Sequence, residues 1–287
     1  MGYKKVLGAL TLLVMSGCTK DAPADVWSEN APSGGRILIA GDSTAADYPV
    51  TRKPQIGWGQ VLDYYLNNDV EVLNRAVNGR STKSYIEEGK WEALVAEIAS
   101  GDLVLISFGH NDSRDDAPER YAPADGSFRE NMARFASDVT EAGGYPVILS
   151  SAARRLWEGP AMVETHGAYR LNAGLAAADS GARYIDLSQL SMDYFETLGR
   201  VETKDDYFWM TPEDLAEQLP SFLERYPEGI EDNTHFREVG ACGVARIIAQ
   251  ELSGYTSYVD ETRFEANPVD EAGRPADVIK CAAEAWN

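Results

Sequence analysis

The chain reads as an α/β protein, a three-layer α/β/α sandwich around a five-stranded parallel sheet with flavodoxin-like strand order. Three observations predict this. Short continuous apolar runs recur along the chain, stretches with helical spacing of apolar residues separate them, and reactive side chains follow the runs. Strands alternating with helices imply βαβ units, and parallel sheets place ligands beyond the carboxyl ends of their strands.

The first run, Arg36-Ile37-Leu38-Ile39-Ala40, ends at Gly41 and has the uninterrupted apolarity of a strand buried on both faces. Trp58, Val61, Leu62 and Tyr65 then form an apolar stripe at helical spacing. Residues Val70 to Val77 predict a second strand, and Trp91, Leu94, Val95 and Ile98 a helix closed by Gly101. Leu103 to Phe108 is the clearest strand. A helix from Phe128 to Ala142 leads into the fourth strand, Pro146 to Ser150. Another from Tyr169 to Ala178 leads into the fifth, Arg183 to Leu187. Val239 to Leu252 closes the core as a helix with Val244, Ile247, Ile248 and Leu252 inward. Right-handed crossovers then cover both sheet faces.

One domain over residues 36–253 is the economical division. Within it, residues 200–230 are acidic and aromatic, with a helix start at Thr211-Pro212-Glu213-Asp214, and read as an insertion above the sheet. Residues 254–287 lack clear periodicity and read as a tail packed on the domain.

The 287 residues are 44% hydrophobic, enough for a packed core, and carry a formal charge of −20. That charge argues against a nucleic-acid partner, which needs a positive footprint, and against binding an anionic membrane through the protein surface. The N-terminus is different. Lys4 and Lys5 precede an apolar run, Val6 to Met15, too short to cross a bilayer. Residues 1–17 therefore read as a signal peptide. Ser16-Gly17-Cys18 resembles the lipobox of bacterial lipoproteins, so Cys18 is the expected lipidation site and residues 18–35 a flexible tether. The expected location is periplasmic or cell-surface, with membrane contact only through this anchor. Ordinary cleavage, with Cys18 removed or left free, is the alternative. A disulfide between Cys242 and Cys281 would tie the tail to the body in an oxidising compartment; two separate thiols are the competing reading.

Four short blocks follow the strands. After the first comes Gly41-Asp42-Ser43, a serine at a strand-to-helix turn. After the second comes Asn78-Gly79-Arg80-Ser81, where Gly79 lets the backbone approach a ligand and offer its N–H to an oxyanion. After the third comes Gly109-His110-Asn111-Asp112, where the Asn111 amide is a further donor. Before the last helix comes Asp232-Asn233-Thr234-His235. A serine hydroxyl needs a base to take its proton, and the chain holds only 3 histidines. Of these only His235 has a carboxylate three residues earlier, placed to bond Nδ1 and fix the tautomer. His110 reads as structural, and His166 as part of a polar loop.

Each block alone is a common turn or cap. In this order, at one edge of one sheet, Ser43, Gly79, Asn111 and His235 resemble the four signature blocks of the SGNH (GDSL-type) hydrolases. No Gly-x-Ser-x-Gly elbow occurs, which speaks against the α/β-hydrolase alternative. Gly41 to Ala45, Asn74 to Ser81, Phe108 to Asp112 and Asp232 to Phe236 are most similar to the rhamnogalacturonan acetylesterases. The resemblance implies Ser43 as nucleophile, His235 as base, Asp232 as its partner, and an oxyanion hole of Ser43, Gly79 and Asn111. The implied substrate is an acetylated plant polysaccharide, foremost the rhamnogalacturonan backbone of pectin. Acetylxylan, or a lipid or thioester acyl chain, is the alternative with the same chemistry; a non-catalytic polysaccharide-binding lipoprotein is another. No metal or cofactor is expected, since the cysteines are too scattered for a zinc site and no phosphate-binding glycine loop occurs. A monomer is expected.

Pectic chains carry galacturonate, which conflicts with a net charge of −20 unless local cations intervene. Arg80 and Lys83 follow the second strand, and Arg154 and Arg155 the fourth. All four are expected near the cleft mouth, with surface ion pairing as the competing reading for each.

Overall fold

A computed structural model describes residues 35–286. The predicted signal peptide, Cys18 and all but the last residue of the predicted tether lie outside the described residues.

Five strands form the central parallel sheet: β1 (Arg36–Gly41), β2 (Glu71–Asn74), β3 (Leu103–Ser107), β4 (Tyr145–Leu149) and β7 (Arg183–Ile185). Their order, β2-β1-β3-β4-β7, is the flavodoxin-like one predicted. Strand β1 lies between β2 and β3, with Ile37 in register with Val72 and Leu103. The apolar runs are continuous because both faces are covered, and alternation divides them between two cores. Ile37, Ile39, Leu103, Leu105, Val147 and Leu149 point to one core. Leu38, Ala40, Val104, Ile106 and Ile148 point to the other.

The second core is covered by α1 (Thr82–Glu87), α2 (Lys90–Val95), α3 (Arg129–Glu141) and α4 (Ala168–Ser180). The first is covered by the Trp58–Tyr65 segment, α5 (Leu187–Leu198) and a long helix, Glu238–Ser253, described below as α8. Trp58–Tyr65 buries the predicted stripe but winds as a 3-10 helix. Two glycines and three aromatics in this region give it little α propensity. Its entry is pressed so closely on the first strand's turn that a Cβ at Gly57 would lie 2.3 Å from the Ala46 carbonyl. The second strand is also shorter than predicted. Past Asn74 the backbone still bonds β1, from Arg75 N to the Ile39 carbonyl and from Val77 N to the Gly41 carbonyl at 2.9 Å each, while the Asn74 side chain accepts from Ala76 N at 3.1 Å and donates to the Ala45 carbonyl at 2.8 Å.

Two small antiparallel pairs accompany the sheet: β5 (Trp157–Glu158) with β6 (Ala161–Met162), and β8 (Tyr207–Met210) with β9 (Ile230–Phe236). The acidic segment expected as an insertion thus supplies β8, the pairing partner of the strand that carries Asp232 and His235. Between them lie α6 (Pro212–Gln218) and α7 (Pro220–Leu223). The predicted start of α6 is a capping box, in which Thr211 and Asp214 satisfy each other's backbone N–H.

The tail is more regular than its sequence suggests. It ends in α9 (Ala276–Glu284), which packs on α8 (Glu238–Ser253), and Cys242 and Cys281 are joined by a disulfide across that contact. A cross-link closing a loop of 39 residues contributes about 4 kcal/mol on a chain-entropy estimate. Arg274 adds a second tie: its guanidinium bonds both oxygens of the fully buried Asp206, at 3.2 and 2.7 Å, just before β8.

Candidate active site

Ser43 sits in a tight turn at the end of β1. Asp42 organises it: its carbonyl accepts from Ala45 N and Ala46 N, and its Oδ1 accepts from the Thr44 N–H at 2.9 Å and hydroxyl at 2.8 Å. Tyr48 donates its hydroxyl proton to the Ser43 carbonyl at 2.9 Å. The turn is held from both sides, and burial pushes the Asp42 carboxyl upward despite the Thr44 bonds.

The acid and base come from β9. Asp232 uses its two oxygens for different tasks. Oδ1 accepts the backbone N–H of Thr234 at 2.8 Å and of His235 at 3.0 Å, folding the segment into an Asx turn. Oδ2 lies 2.7 Å from His235 Nδ1, and His235 Nε2 lies 2.8 Å from Ser43 Oγ. Burial raises the pKa of Asp232, but the His235 hydrogen bond and charge and the two N–H bonds outweigh it, so the carboxyl is held below its ordinary 3.8. The carboxylate therefore fixes Nδ1 as the protonated nitrogen and leaves Nε2 free to accept the serine proton.

Gly79 and Asn111 line the same cleft as Ser43 and His235. Gly79 has φ +75°, a left-handed conformation that exposes its N–H and that other residues adopt only at a cost. The two donor loops are stitched together. Asn111 Nδ2 gives one proton to the Arg80 carbonyl at 3.1 Å, keeping a second for a ligand. Asp112, buried directly behind, accepts from the Thr82 N–H at 2.9 Å and hydroxyl at 2.6 Å. Burial, only partly offset by the Thr82 bonds, raises the Asp112 carboxyl to about 7. Asp112 was absent from the candidates read in the sequence; its position next to Asn111 was visible, but its partner lies 30 residues away.

Of the three histidines only His235 reaches the serine. His166 lies in the loop before α4, as expected, but is buried there, and its Nε2 lies 3.2 Å from His110 Nδ1. Burial pushes His110 well below its ordinary 6.5, and it also lowers His166, so the two rings are a neutral donor–acceptor pair.

The cleft holds about 600 Å³. Of the four cations expected at its mouth, only Arg154 lines it. Arg80 is 3.0 Å from Glu88, and Lys83 donates to the Pro118 carbonyl at 2.7 Å. Arg155 is buried, stacks on Trp209 at 4.7 Å and bonds the Asn233 side chain at 3.4 Å. Its backbone N–H also bonds the Asn233 carbonyl at 2.8 Å, so it supports the Asp232–His235 turn from behind. Arg154 and Arg155 are neighbours in the loop after β4, yet they meet different surroundings. Arg52, Arg114 and Arg120 line the cleft instead. None of them directly follows a strand end: Arg52 closes the 3-10 turn Val50–Arg52, well beyond β1, and Arg114 and Arg120 lie in the long loop after β3.

The fold and blocks have counterparts in known proteins. A family model described as GDSL-like lipase/acylhydrolase matches residues 39–241. The rhamnogalacturonan acetylesterase RhgT of Bacillus subtilis is 35% identical over 216 residues, covering 75% of this chain and 88% of that protein. The rhamnogalacturonan acetylesterase of Emericella nidulans is 32% identical over 183 residues, or 57% of this chain and 71% of the relative. The solved structure of protein YxiM from Bacillus subtilis has a TM-score of 0.63 at 25% identity, over 76% of this chain and 56% of YxiM. The chain belongs to the GDSL-like lipase/acylhydrolase family.

Proposed function

We propose that the chain is a serine esterase that removes O-acetyl groups from an acidic plant polysaccharide, the rhamnogalacturonan backbone of pectin. One observation carries the chemistry: the unbroken hydrogen-bond chain Asp232–His235–Ser43, opening into a cleft with two further donors. Ser43 Oγ attacks the acetyl carbonyl carbon while its proton passes to His235 Nε2. The N–H groups of Ser43 and Gly79 and the Asn111 amide hold the oxyanion. The imidazolium, stabilised by Asp232, gives its proton to the departing sugar oxygen, leaving an acetyl-serine. Water, deprotonated by His235, attacks that ester and releases acetate with Ser43 restored.

The substrate class rests on charge and relatives together. Both compared relatives that carry an activity in their names are rhamnogalacturonan acetylesterases. In a chain of net charge −20, the cleft is nonetheless lined by four arginines. Arg154 bonds only carbonyl oxygens, of Thr165 and His110 at 3.4 Å each, and among the described residues pairs with no carboxylate. It is available to a uronate.

Acetate release from a panel of acetylated polysaccharides tests the reading. Acetylated rhamnogalacturonan is expected to be the best substrate, Ser43→Ala to abolish release, and Arg154→Ala to lower kcat/KM on it about tenfold more than on acetylated xylan. A wild type that prefers xylan, with Arg154→Ala affecting both alike, would sink the pectin assignment.

We also infer export with lipid anchoring at Cys18, supported by the basic, apolar and small-residue order of residues 4–18. Metabolic labelling with a fatty-acid analogue is expected to mark the full-length protein and not Cys18→Ser.

A further inference from the structure

A second compartment of about 630 Å³ adjoins the active-site cleft. The two share Arg52, Gln55, Asp232 and His235 as a common wall, so one polymer strand lying over Ser43 extends into it. The far wall is built by the 200–230 segment. Phe208, Met210, Leu215, Leu219 and Ile230 form a small separate core there, against which Phe222 and Tyr226 pack half-buried. These two rings lie nearly parallel, at 19° with centroids 6.0 Å apart, and both line the compartment.

Each ring carries a guanidinium. Arg52 lies over Phe222 at 4.9 Å and Arg225 over Tyr226 at 5.2 Å. Among the described residues neither arginine pairs with a carboxylate, in a chain with 46 acidic and 26 basic residues. Arg52 donates to Gln55, and its Nε is buried without a partner. The compartment's own carboxylates are Glu231 and Asp232, and Asp232 is committed to the His235 turn. Half-buried aromatic rings that carry guanidiniums without carboxylate partners match one ligand chemistry: a pyranose whose carboxylate meets the cations and whose C–H groups pack beside the rings.

We propose that this compartment is a second sugar subsite, which binds an acidic pyranose of the same polymer strand as the acetylated unit and so makes the 200–230 segment the substrate-selecting part of the enzyme. The proposal rests on the acetylesterase reading and extends it from the reacting ester to a further unit of the strand.

The test measures kcat/KM of the full chain, Phe222→Ala and Arg225→Gln on acetylated rhamnogalacturonan oligosaccharides, on the same oligosaccharides with carboxyl groups reduced to alcohols, and on 4-nitrophenyl acetate. For each variant the ratio of oligosaccharide to 4-nitrophenyl acetate activity is expected to fall about fivefold or more, chiefly through KM. The Arg225→Gln effect is expected to vanish on the carboxyl-reduced oligosaccharide, whereas that of Phe222→Ala persists. Arg225 is exposed, so its variant reads the site even where Phe222→Ala disturbs the small core. Ratios unchanged in both variants, or an Arg225→Gln loss equal on native and reduced substrate, overturn the subsite and leave the acetylesterase reading intact. A wild type that cleaves 4-nitrophenyl acetate but no acetylated polysaccharide overturns both.

Discussion

Replacing Asp232 by asparagine isolates a single hydrogen bond of the site. Native Oδ1 holds the Thr234 and His235 N–H groups, and Oδ2 faces His235 Nδ1 at 2.7 Å. Asparagine keeps an oxygen for the two backbone donors and puts an NH2 against the ring. That group only donates, so Nδ1 must accept and the ring proton moves to Nε2, the atom 2.8 Å from Ser43 Oγ. The base is then blocked, and any imidazolium formed lacks its carboxylate. The expected loss in kcat is on the order of 10⁴, about 5 kcal/mol, the scale seen when other serine–histidine–aspartate sites are forced into the wrong tautomer.

Because the Asx turn survives in Asp232→Asn, its Tm should stay within about 2 °C of wild type. Asp232→Ala strands two N–H groups and should lose about 1–3 kcal/mol of stability as well. Initial rates on 4-nitrophenyl acetate and thermal melts of both variants decide it. A kcat loss under about tenfold in folded Asp232→Asn would refute the tautomer argument. The same fall in Tm for both variants would refute the division of labour between the two oxygens. Acid does not mimic the mutation at moderate pH. The Asp232 carboxyl lies below its unfolded 3.8, so its stabilising contribution is fully present above that value and is lost only as pH falls through the lower folded one.

Three further outcomes are expected. Asn111→Ala removes an oxyanion donor and should cut kcat by about 10²–10³ with KM for 4-nitrophenyl acetate little changed; a loss confined to KM would place the amide in ground-state binding instead. Asp112 titrates near 7 folded against 3.8 unfolded, so ionising it opposes folding and the protein loses stability as pH rises through that window. Asp112→Asn keeps an acceptor for Thr82 and should gain Tm over wild type on going from about pH 5 to pH 8; a difference independent of pH would show the carboxyl is not the source. Arg274→Met leaves Asp206, with 0% of its side chain exposed, unpaired and should cost about 3–5 kcal/mol in urea unfolding, with most of it recovered in Arg274→Met/Asp206→Asn.

Elements whose cause is local were legible in the chain. The β1 and β3 runs are apolar without interruption from Ile37 to Ala40 and from Leu103 to Ile106 because both faces of those strands are buried, so length and continuity alone identify them. The α6 start was legible because Thr211 and Asp214 satisfy each other within one turn. The Trp58–Tyr65 coil was not, since it is shaped by close backbone contact with Ala45 and Ala46. Nor was the early end of β2, where the Asn74 side chain turns to Ala45 and Asp47 of the first strand's turn.

The site divides in the same way. Asp232 and His235 could be paired from sequence because a separation of three residues lets one side chain hold both a turn and a ring. By itself, the sequence determined the parallel sheet, the four blocks at its carboxyl edge and the chemistry those residue types can perform. Tertiary structure alone decided which cations meet that chemistry. Arg154 and Arg155 are chain neighbours, yet one lines the cleft and the other is buried behind the Asp232–His235 turn, while Arg52 arrives from the 3-10 turn Val50–Arg52. It also decided that the acidic 200–230 segment is the partner of β9 and the wall of an adjoining compartment. The physical reason is common to both. A strand's composition records how deeply it is buried, but the direction of a long charged side chain depends on neighbours that the chain brings together only when it folds.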